Sequence, residues 1–594
     1  MTWNIINAET GRVKDRNGVS ELIIDNYSIK SDQIVAKALE NHFANIPLST
    51  TKTLISSPEV AESLLKQNVN ACKGDFTFRP IDANEIIKIF KTLDIKNTTD
   101  LWGISVKIIG TIVDIIAPHL AIRFNECILS GEFPDLMKHS KVIPLFKSGC
   151  PKDPTNYRPI SILPACSKLF EKVILCQLLN HFTRNKLLHN KQFGFTRGRS
   201  TTDAGVKLFT SIVDAWEESR DALGVFCDLS KAFDCVQHET LIRKLSHYGI
   251  KNTALKLLSS YLSHRTQRVE VNGITSSGSH VQMGVPQGSI IGPFLFLTYI
   301  NDLPYLVENN HEIVLFADDT SLIFKLHRQD TNYDDVNNAL SKVVHWFSVN
   351  NLLLNSKKTN CIKFSSPNVR QVDMQPELNG DKLNLVNSTV FLGITIDPKL
   401  QWGPHICRLA DKLSSAAYAV KKIRLLTDVD TARLVYFSYF HSLMSYGILL
   451  WGNAANINTI FILQKRAIRY IYKMKCKESL REKFKEINIL TFASQYIYEN
   501  IMYIRKNRHL FVSRSDHALN NVTLRNGHKL ALPKCRLSKK SRFFIGMSII
   551  IYNKIPVAVQ SLPLQKFKKT IKQTLCRKAY YDINEFLNDK KAWD

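Results

Sequence analysis

Two short apolar runs, Ile313 to Leu315 and Leu322 to Phe324, flank the tetrapeptide Phe316-Ala317-Asp318-Asp319. They predict the arms of a β-hairpin with two adjacent carboxylates at its tip. A third run, Gly224 to Cys227, ends in Asp228 and continues as Leu229-Ser230-Lys231-Ala232-Phe233-Asp234. If these strands share one antiparallel sheet, Asp228 and Asp318 converge at its end. Other stretches carry helical spacing. Val336, Leu340, Val343, Val344 and Phe347 recur on one face, which packs a helix against the sheet. Ile34 to Phe43 is amphipathic, and Ile290 to Ile300 predicts a helix after the turn Pro286-Gln287-Gly288. Three helices with charged outer faces are expected over Cys407–Leu426, Thr431–Leu449 and Ile457–Met474. No internal repeat or low-complexity tract interrupts this α+β pattern.

Adjacent like charges repel, and a protein keeps such a pair on a solvated turn or around a multivalent cation. An exposed acidic turn is the ordinary explanation of Asp318-Asp319 taken alone. Asp228 in a matching context changes it, because three converging carboxylates make an oxygen-rich site for two divalent cations, as in-line phosphoryl transfer requires.

In order along most of the chain, the residues resemble the reverse transcriptases of non-LTR (LINE-like) retrotransposons, most closely the jockey type. Lys141-Val142-Ile143-Pro144-Leu145-Phe146-Lys147 and Asn156-Tyr157-Arg158-Pro159-Ile160-Ser161 resemble the finger motifs. Gln192-Phe193-Gly194-Phe195 and Gly198-Arg199-Ser200-Thr201 resemble the segment that leads into the palm. Asp228 to Asp234 is similar to motif A, Gly284-Val285-Pro286-Gln287-Gly288-Ser289 to motif B and Phe316 to Asp319 to motif C. Asn355-Ser356-Lys357-Lys358-Thr359 is similar to motif D and Phe391-Leu392-Gly393-Ile394 to motif E. Trp451-Gly452-Asn453 and Leu463 to Arg469 add jockey-like features that a group II intron maturase would lack.

The resemblance implies a right-hand polymerase with fingers, an antiparallel-sheet palm, a helical thumb and a basic, largely helical C-terminal region. It implies that Asp228, Asp318 and Asp319 hold two Mg²⁺ ions, with Mn²⁺ as a substitute, and that Lys358 protonates the departing pyrophosphate. Lys147 and Arg158 are expected to hold the nucleotide's triphosphate through charge-assisted contacts. Phe233 falls where the family places a bulky ring beneath the incoming sugar. Gln287 offers both donor and acceptor to nucleotide and template, and Gly288 permits close backbone approach. One departure stands out: after Gln192-Phe193-Gly194-Phe195 the family usually has arginine, whereas this chain has Thr196, followed by Arg197.

Charge gives the second strong signal. The 594 residues carry a net +27, yet residues 461–594 hold 29 Lys and Arg against 9 Asp and Glu, so most of the excess lies there. Between Glu499 and Asp582 the only acid is Asp516. So one-sided a basic field is the footprint of a nucleic-acid surface. Hydrophobic content of 44% is that of a globular protein. No run of eighteen apolar residues escapes a charge and the N-terminus lacks a signal-peptide pattern, which predicts an intracellular protein of nucleus or cytoplasm, neither secreted nor in a membrane. Twelve cysteines without a Cys-x-x-Cys pair are expected to be free and mostly buried, with no zinc knuckle from Cys476, Cys535 and Cys576.

The expected organisation is an N-terminal extension or connector over 1–100, fingers over 101–200, palm over 201–403, thumb over 404–475 and the basic region over 476–594. Trp3 to Asn7 resembles the connector that follows an upstream endonuclease in these elements. The chain then reads as the polymerase portion of a longer element protein, with an endonuclease to be supplied in trans. Its expected activity is RNA-directed DNA polymerisation from a DNA primer or target with dNTPs on an RNA template. The alternative is a catalytically silent, RNA-binding remnant.

Overall fold

The computed structural model describes residues 19–307, 311–328, 334–366, 376–378, 381–515, 527–537, 540 and 543–593. Trp3 to Asn7 and Asp516 therefore lie outside the described residues. Seven strands frame the site: β1 (His139–Phe146), β2 (Tyr157–Ile162), β3 (Arg220–Cys227), β4 (Arg265–Val271), β5 (His311–Phe316), β6 (Asp319–His327) and β7 (Asn360–Phe364).

The central sheet runs in the order β5-β6-β3-β7, all antiparallel. Alternate residues of its strands point to opposite faces, and both faces are covered. Leu223, Val225, Cys227, Ile313, Leu315 and Leu322 join a core with the helices Ala165–Arg184, Gly292–Tyr299 and Asp334–Val349. Ala222, Phe226, Val314, Ile323, Ile362 and Phe364 join another with Thr201–Glu217 and Gly403–Leu426. A strand buried on both faces must be apolar throughout, and β3 is, from Ala222 to Cys227. Gly224 makes room for rings: a Cβ there would stand 2.9 Å from Phe364 and 3.0 Å from Phe226. The Thr201–Glu217 helix starts where Ser200 and Asp203 cap each other's backbone N–H groups.

A second sheet holds β2, β1 and β4 side by side, with β1 antiparallel to β2 and parallel to β4. The amphipathic stretch at Ile34 to Phe43 lies within a longer helix, Asp32–Thr51, whose Val35, Leu39, Phe43 and Ile46 share a core with Val142, Tyr157, Val269 and Val271 of that sheet. The segment expected as an N-terminal extension is thus partly built into the second sheet.

One helical expectation needs correction. The helix expected over Thr431–Leu449 is broken into Val429–Val435, a wider-wound Tyr436–His441, Ser442–Ser445 and Ile448–Trp451. The break falls at Tyr446-Gly447, where Gly447 takes a left-handed φ of 60° and the Tyr446 hydroxyl donates to the Leu392 carbonyl at 2.7 Å. The basic C-terminal stretch is helical, as expected, and shares a core with the rest of the chain. Its helices Phe492–Lys506, Phe544–Tyr552 and Leu564–Lys578 bury Ile497, Ile501, Ile549, Phe567 and Ile571 in the core that also covers the central sheet. Lys506 pairs with Asp203 at 2.9 Å and Lys540 with Asp214 at 2.8 Å, both on the Thr201–Glu217 helix.

The twelve cysteines are free, but only Cys227, Cys235, Cys361 and Cys576 are buried, so the expectation of mostly buried thiols fails. No helix among the described residues is long and apolar enough to cross a membrane.

Candidate active site

The hairpin forms as the apolar runs predict. β5 and β6 pair from His311 with Phe324 to Phe316 with Asp319, leaving Ala317-Asp318 as the turn. β3 pairs with β6 on its other side, and its last pair is Cys227 with Thr320. One step further, Asp228 stands level with Asp319, so three carboxylates share one end of the sheet.

Their electrostatics agree. Burial pushes the Asp318 carboxyl up, and the neighbouring charge of Asp228 pushes it further, while Arg158 draws it down. Asp319 is raised to about 6, first by burial and then by the charges of Asp318 and Asp228. Asp319 remains accessible to solvent, so its lost hydration comes from protein crowding the surrounding volume rather than from a covered side chain. Among the described residues no three His, Cys, Asp or Glu side chains are drawn close enough to form a ready metal cage. A hard dication that keeps several waters needs only a few of these carboxylates and does not require a closed cage.

Arg158, which draws Asp318 down, links the acids to a group of cations. Lys231, half-buried with a left-handed φ of 52°, has its ammonium lowered by burial, and Lys147, Arg158 and Lys358 lower it further while Asp234 opposes them. The four cations therefore share one electrostatic neighbourhood. Register explains two of them: Arg158 of β2 is paired with Leu145 of β1, and the Lys147 N–H donates to the Asn156 carbonyl at 2.8 Å just beyond. Lys358 is brought in because the Asn355 N–H donates to the Asp228 carbonyl at 2.9 Å. Leu353-Leu354 also pairs with Leu229-Ser230.

Phe233 is half-buried and stacks on Phe296, ring centroids 4.4 Å apart. Gln287 donates through Nε2 to both carboxylate oxygens of Asp234, each at 2.9 Å, and its backbone carbonyl accepts from the Ser161 N–H at 2.8 Å. Desolvation raises Asp234 to about 6 against the pull of Gln287 and Lys231. The glycines on either side are required. A Cβ on Gly288 would stand 2.5 Å from the Ser161 carbonyl oxygen and one on Gly284 2.6 Å from that of Asp234, both at positive φ. The turn thus bridges the second sheet and the segment after β3. Sequence reasoning does not single out Lys231 or Asp234, although both lie between Asp228 and the end of the motif-A stretch.

Where the family usually has arginine, Thr196 donates to the Gly194 carbonyl at 3.1 Å. Nearby, Arg199 donates to the carbonyls of Asn190 and Gln192 and lies 4.9 Å over the Phe193 ring.

Comparison with known proteins gives this arrangement of three carboxylates at one sheet end a context. Residues 149–396 match the family described as reverse transcriptase (RNA-dependent DNA polymerase). The chain is 29% identical over 455 residues to a Drosophila melanogaster protein named probable RNA-directed DNA polymerase from transposon BS, covering 73% of this chain and 49% of that protein. It is 27% identical over 465 residues to the RNA-directed DNA polymerase from mobile element jockey of the same fly, covering 75% and 49%. The jockey polymerase of Drosophila funebris is 26% identical over 446 residues, covering 72% and 48%. The resemblance to jockey-type non-LTR elements read from the motifs is borne out. The chain spans about half the length of these relatives.

Proposed function

We propose that this chain is an RNA-directed DNA polymerase that extends a primer 3′-OH with dNTPs on an RNA template, and that its biological reaction is target-primed reverse transcription of an element's own RNA. What supports this reading most is the strand pairing that brings Asp228, Asp318 and Asp319 to one sheet end, with Arg158 near enough to draw Asp318 down and the cations around Lys231 beside it. Acids alone would suit a metal; acids with several cations nearby suit a metal with a polyphosphate between them.

In this reading the second sheet belongs to the fingers, the central sheet is the palm, and the helices from Gly403–Leu426 to Asn458–Tyr472 form the thumb. Asp228, Asp318 and Asp319 hold the divalent ions, Mg²⁺ by preference. When bound, those ions make the primer hydroxyl a better nucleophile and neutralise the leaving pyrophosphate. Lys147 and Arg158 grip the triphosphate, Lys231 adds a third cation beside them, and Lys358 stands ready to give a proton to the leaving group. Phe233, braced by Phe296, closes the space a 2′-hydroxyl would need. Gln287, held by Asp234 through its amide N–H atoms, keeps its Oε1 as the acceptor turned to the substrate side. RNA template and DNA primer are the macromolecular partners.

The test is primer extension on an RNA template with purified protein, dNTPs and Mg²⁺. Extension that requires RNA, dNTPs and the metal together is expected. RNA binding without any incorporation would leave the silent remnant as the better reading.

A further inference from the structure

The segment Lys191 to Gly194 has no part in the chemistry above, yet it lies along the outer edge of β5. The Phe193 N–H donates to the Leu315 carbonyl at 2.8 Å and the Leu315 N–H to the Lys191 carbonyl at 3.0 Å, so Gln192 bridges to Leu315 in parallel. At the next residues the backbones come closer than side chains allow: a Cβ on Gly194 would stand 2.3 Å from the Ala317 nitrogen and 2.8 Å from the Phe316 carbonyl carbon. Gln192, only 3% exposed, turns its side chain along this seam. Its Oε1 accepts from the Gly194 N–H at 2.8 Å and from the Ala317 N–H at 3.0 Å.

We propose that Gln192 is a positioning residue for the carboxylates of the catalytic turn, its amide oxygen fixing the peptide that sets the direction of Asp318 and Asp319. This rests on the polymerase reading of those acids. Three physical arguments carry it. Ala317 takes a left-handed φ of 57°, a conformation that costs a residue with a Cβ about 1 kcal/mol or more unless its surroundings hold it. Asp228, Asp318 and Asp319 are gathered at one sheet end, where like charges repel unless something holds the turn. The side of the turn away from β3 has no neighbouring main strand, since β5 is the edge of the central sheet. Gln192 stands on that side, and its own backbone is anchored by Arg199, which donates to its carbonyl at 3.2 Å.

Gln192→Met keeps the length of the side chain and removes the acceptor. Three readouts separate positioning from mere packing: melting temperature, Mn²⁺ binding to the protein alone by electron paramagnetic resonance, and kcat against dNTP KM in primer extension. The variant is expected to melt near the wild type, to bind Mn²⁺ several-fold more weakly, and to lose about tenfold or more in kcat with KM for dNTP little changed, the scale of one lost hydrogen bond in a reacting geometry. Wild-type Mn²⁺ affinity and kcat in a folded variant would overturn the proposal. Should the variant not fold, amide exchange in the wild type decides: protection of the Ala317 N–H supports the clasp, and unprotected exchange there overturns it. Metal binding and amide exchange need no polymerisation, so a wild-type protein that binds Mn²⁺ and protects Ala317 but never extends a primer refutes the polymerase reading and not the clasp.

Discussion

The acidic end of the central sheet and the basic C-terminal helices are both conspicuous in the sequence, but they are built in different ways. The three acids come from two strand ends, and pairing of neighbouring strands is enough to bring them together. The C-terminal cations sit on the outside of helices whose inner faces complete a core begun more than two hundred residues earlier, at Val206, Leu208 and Phe209. Local strand register makes the first feature, and long-range burial makes the second. The difference matters for function, because a charge cluster on strand ends can be altered alone, whereas the charge of the C-terminal helices cannot be removed by cutting without opening the core.

Removing residues from Lys477 onward should have the largest effect. A phosphate-binding appendage could be deleted with the polymerase intact. The shared core predicts instead that the truncated chain unfolds or aggregates, because Ile448, Leu450, Trp451 and the outer face of the Thr201–Glu217 helix lose their cover. Circular dichroism and size-exclusion chromatography check this; a folded, monodisperse truncation would break the contrast just drawn.

Asp318→Asn comes next and is expected to lower dNTP incorporation by a factor of about a thousand or more while leaving the fold and RNA binding intact, since the amide keeps the shape but not the metal-binding charge. Single-turnover extension together with a filter-binding assay would show it. Full extension by this variant would remove Asp318 from the metal site.

The charge of the C-terminal region needs a gentler probe than truncation. On the helix Leu564–Lys578, Phe567, Ile571 and Leu575 face inward while Lys566, Lys568, Lys569 and Lys572 are exposed. Changing these four lysines to Gln leaves the buried face untouched. If they bind nucleic-acid phosphates, the slope of log K against log salt should fall by up to about 3.6, at about 0.9 for each duplex phosphate no longer neutralised, with kcat at saturating substrate unchanged. An unchanged slope would make this a solvated face and move the nucleic-acid surface elsewhere. In the acidic region, Phe233→Ala should narrow the preference for dNTP over rNTP, and retained selectivity would reduce Phe233 to a packing partner of Phe296.

How much was legible in the sequence follows from the same contrast. The hairpin, the meeting of Asp228 with Asp318 and Asp319, and the helix Asp334–Val349 were readable, because period-two and period-3.6 patterns are local. Lys231 and Asp234 escaped, since nothing in their spacing says that Lys231 will lie among Lys147, Arg158 and Lys358, or that Asp234 will grip Gln287. Those relations depend on how two sheets meet. The break at Gly447 was hidden for a similar reason: a Cβ there would stand 2.6 Å from the Ile394 Cδ1, a neighbour distant in the chain. Thr196 was legible only as a departure, and its bond to the Gly194 carbonyl needed the geometry of the loop.

The smallest expected effect concerns stability and tests whether the acidic end stores electrostatic strain. Asp319 is raised to about 6 by burial and by its acidic neighbours, and Asp318 is raised as well. A carboxyl whose pKa rises on folding binds its proton more tightly in the native state, so its contribution favours the fold at low pH. That contribution is lost as pH climbs from the unfolded value near 4 through about 6. At pH 7 and without metal, the ionised Asp319 is therefore a cost to the fold, discounted because the side chain is exposed to solvent. Asp319→Asn should raise the melting temperature at pH 7 in the presence of a chelator by ~1 °C. The gain should shrink toward zero as pH falls below about 4. Added Mg²⁺ should stabilise the wild type more than the variant, because a bound dication favours the charged carboxylate. A gain that persisted unchanged at low pH would locate the effect in packing, and the three acids would then not be working against one another in the metal-free protein.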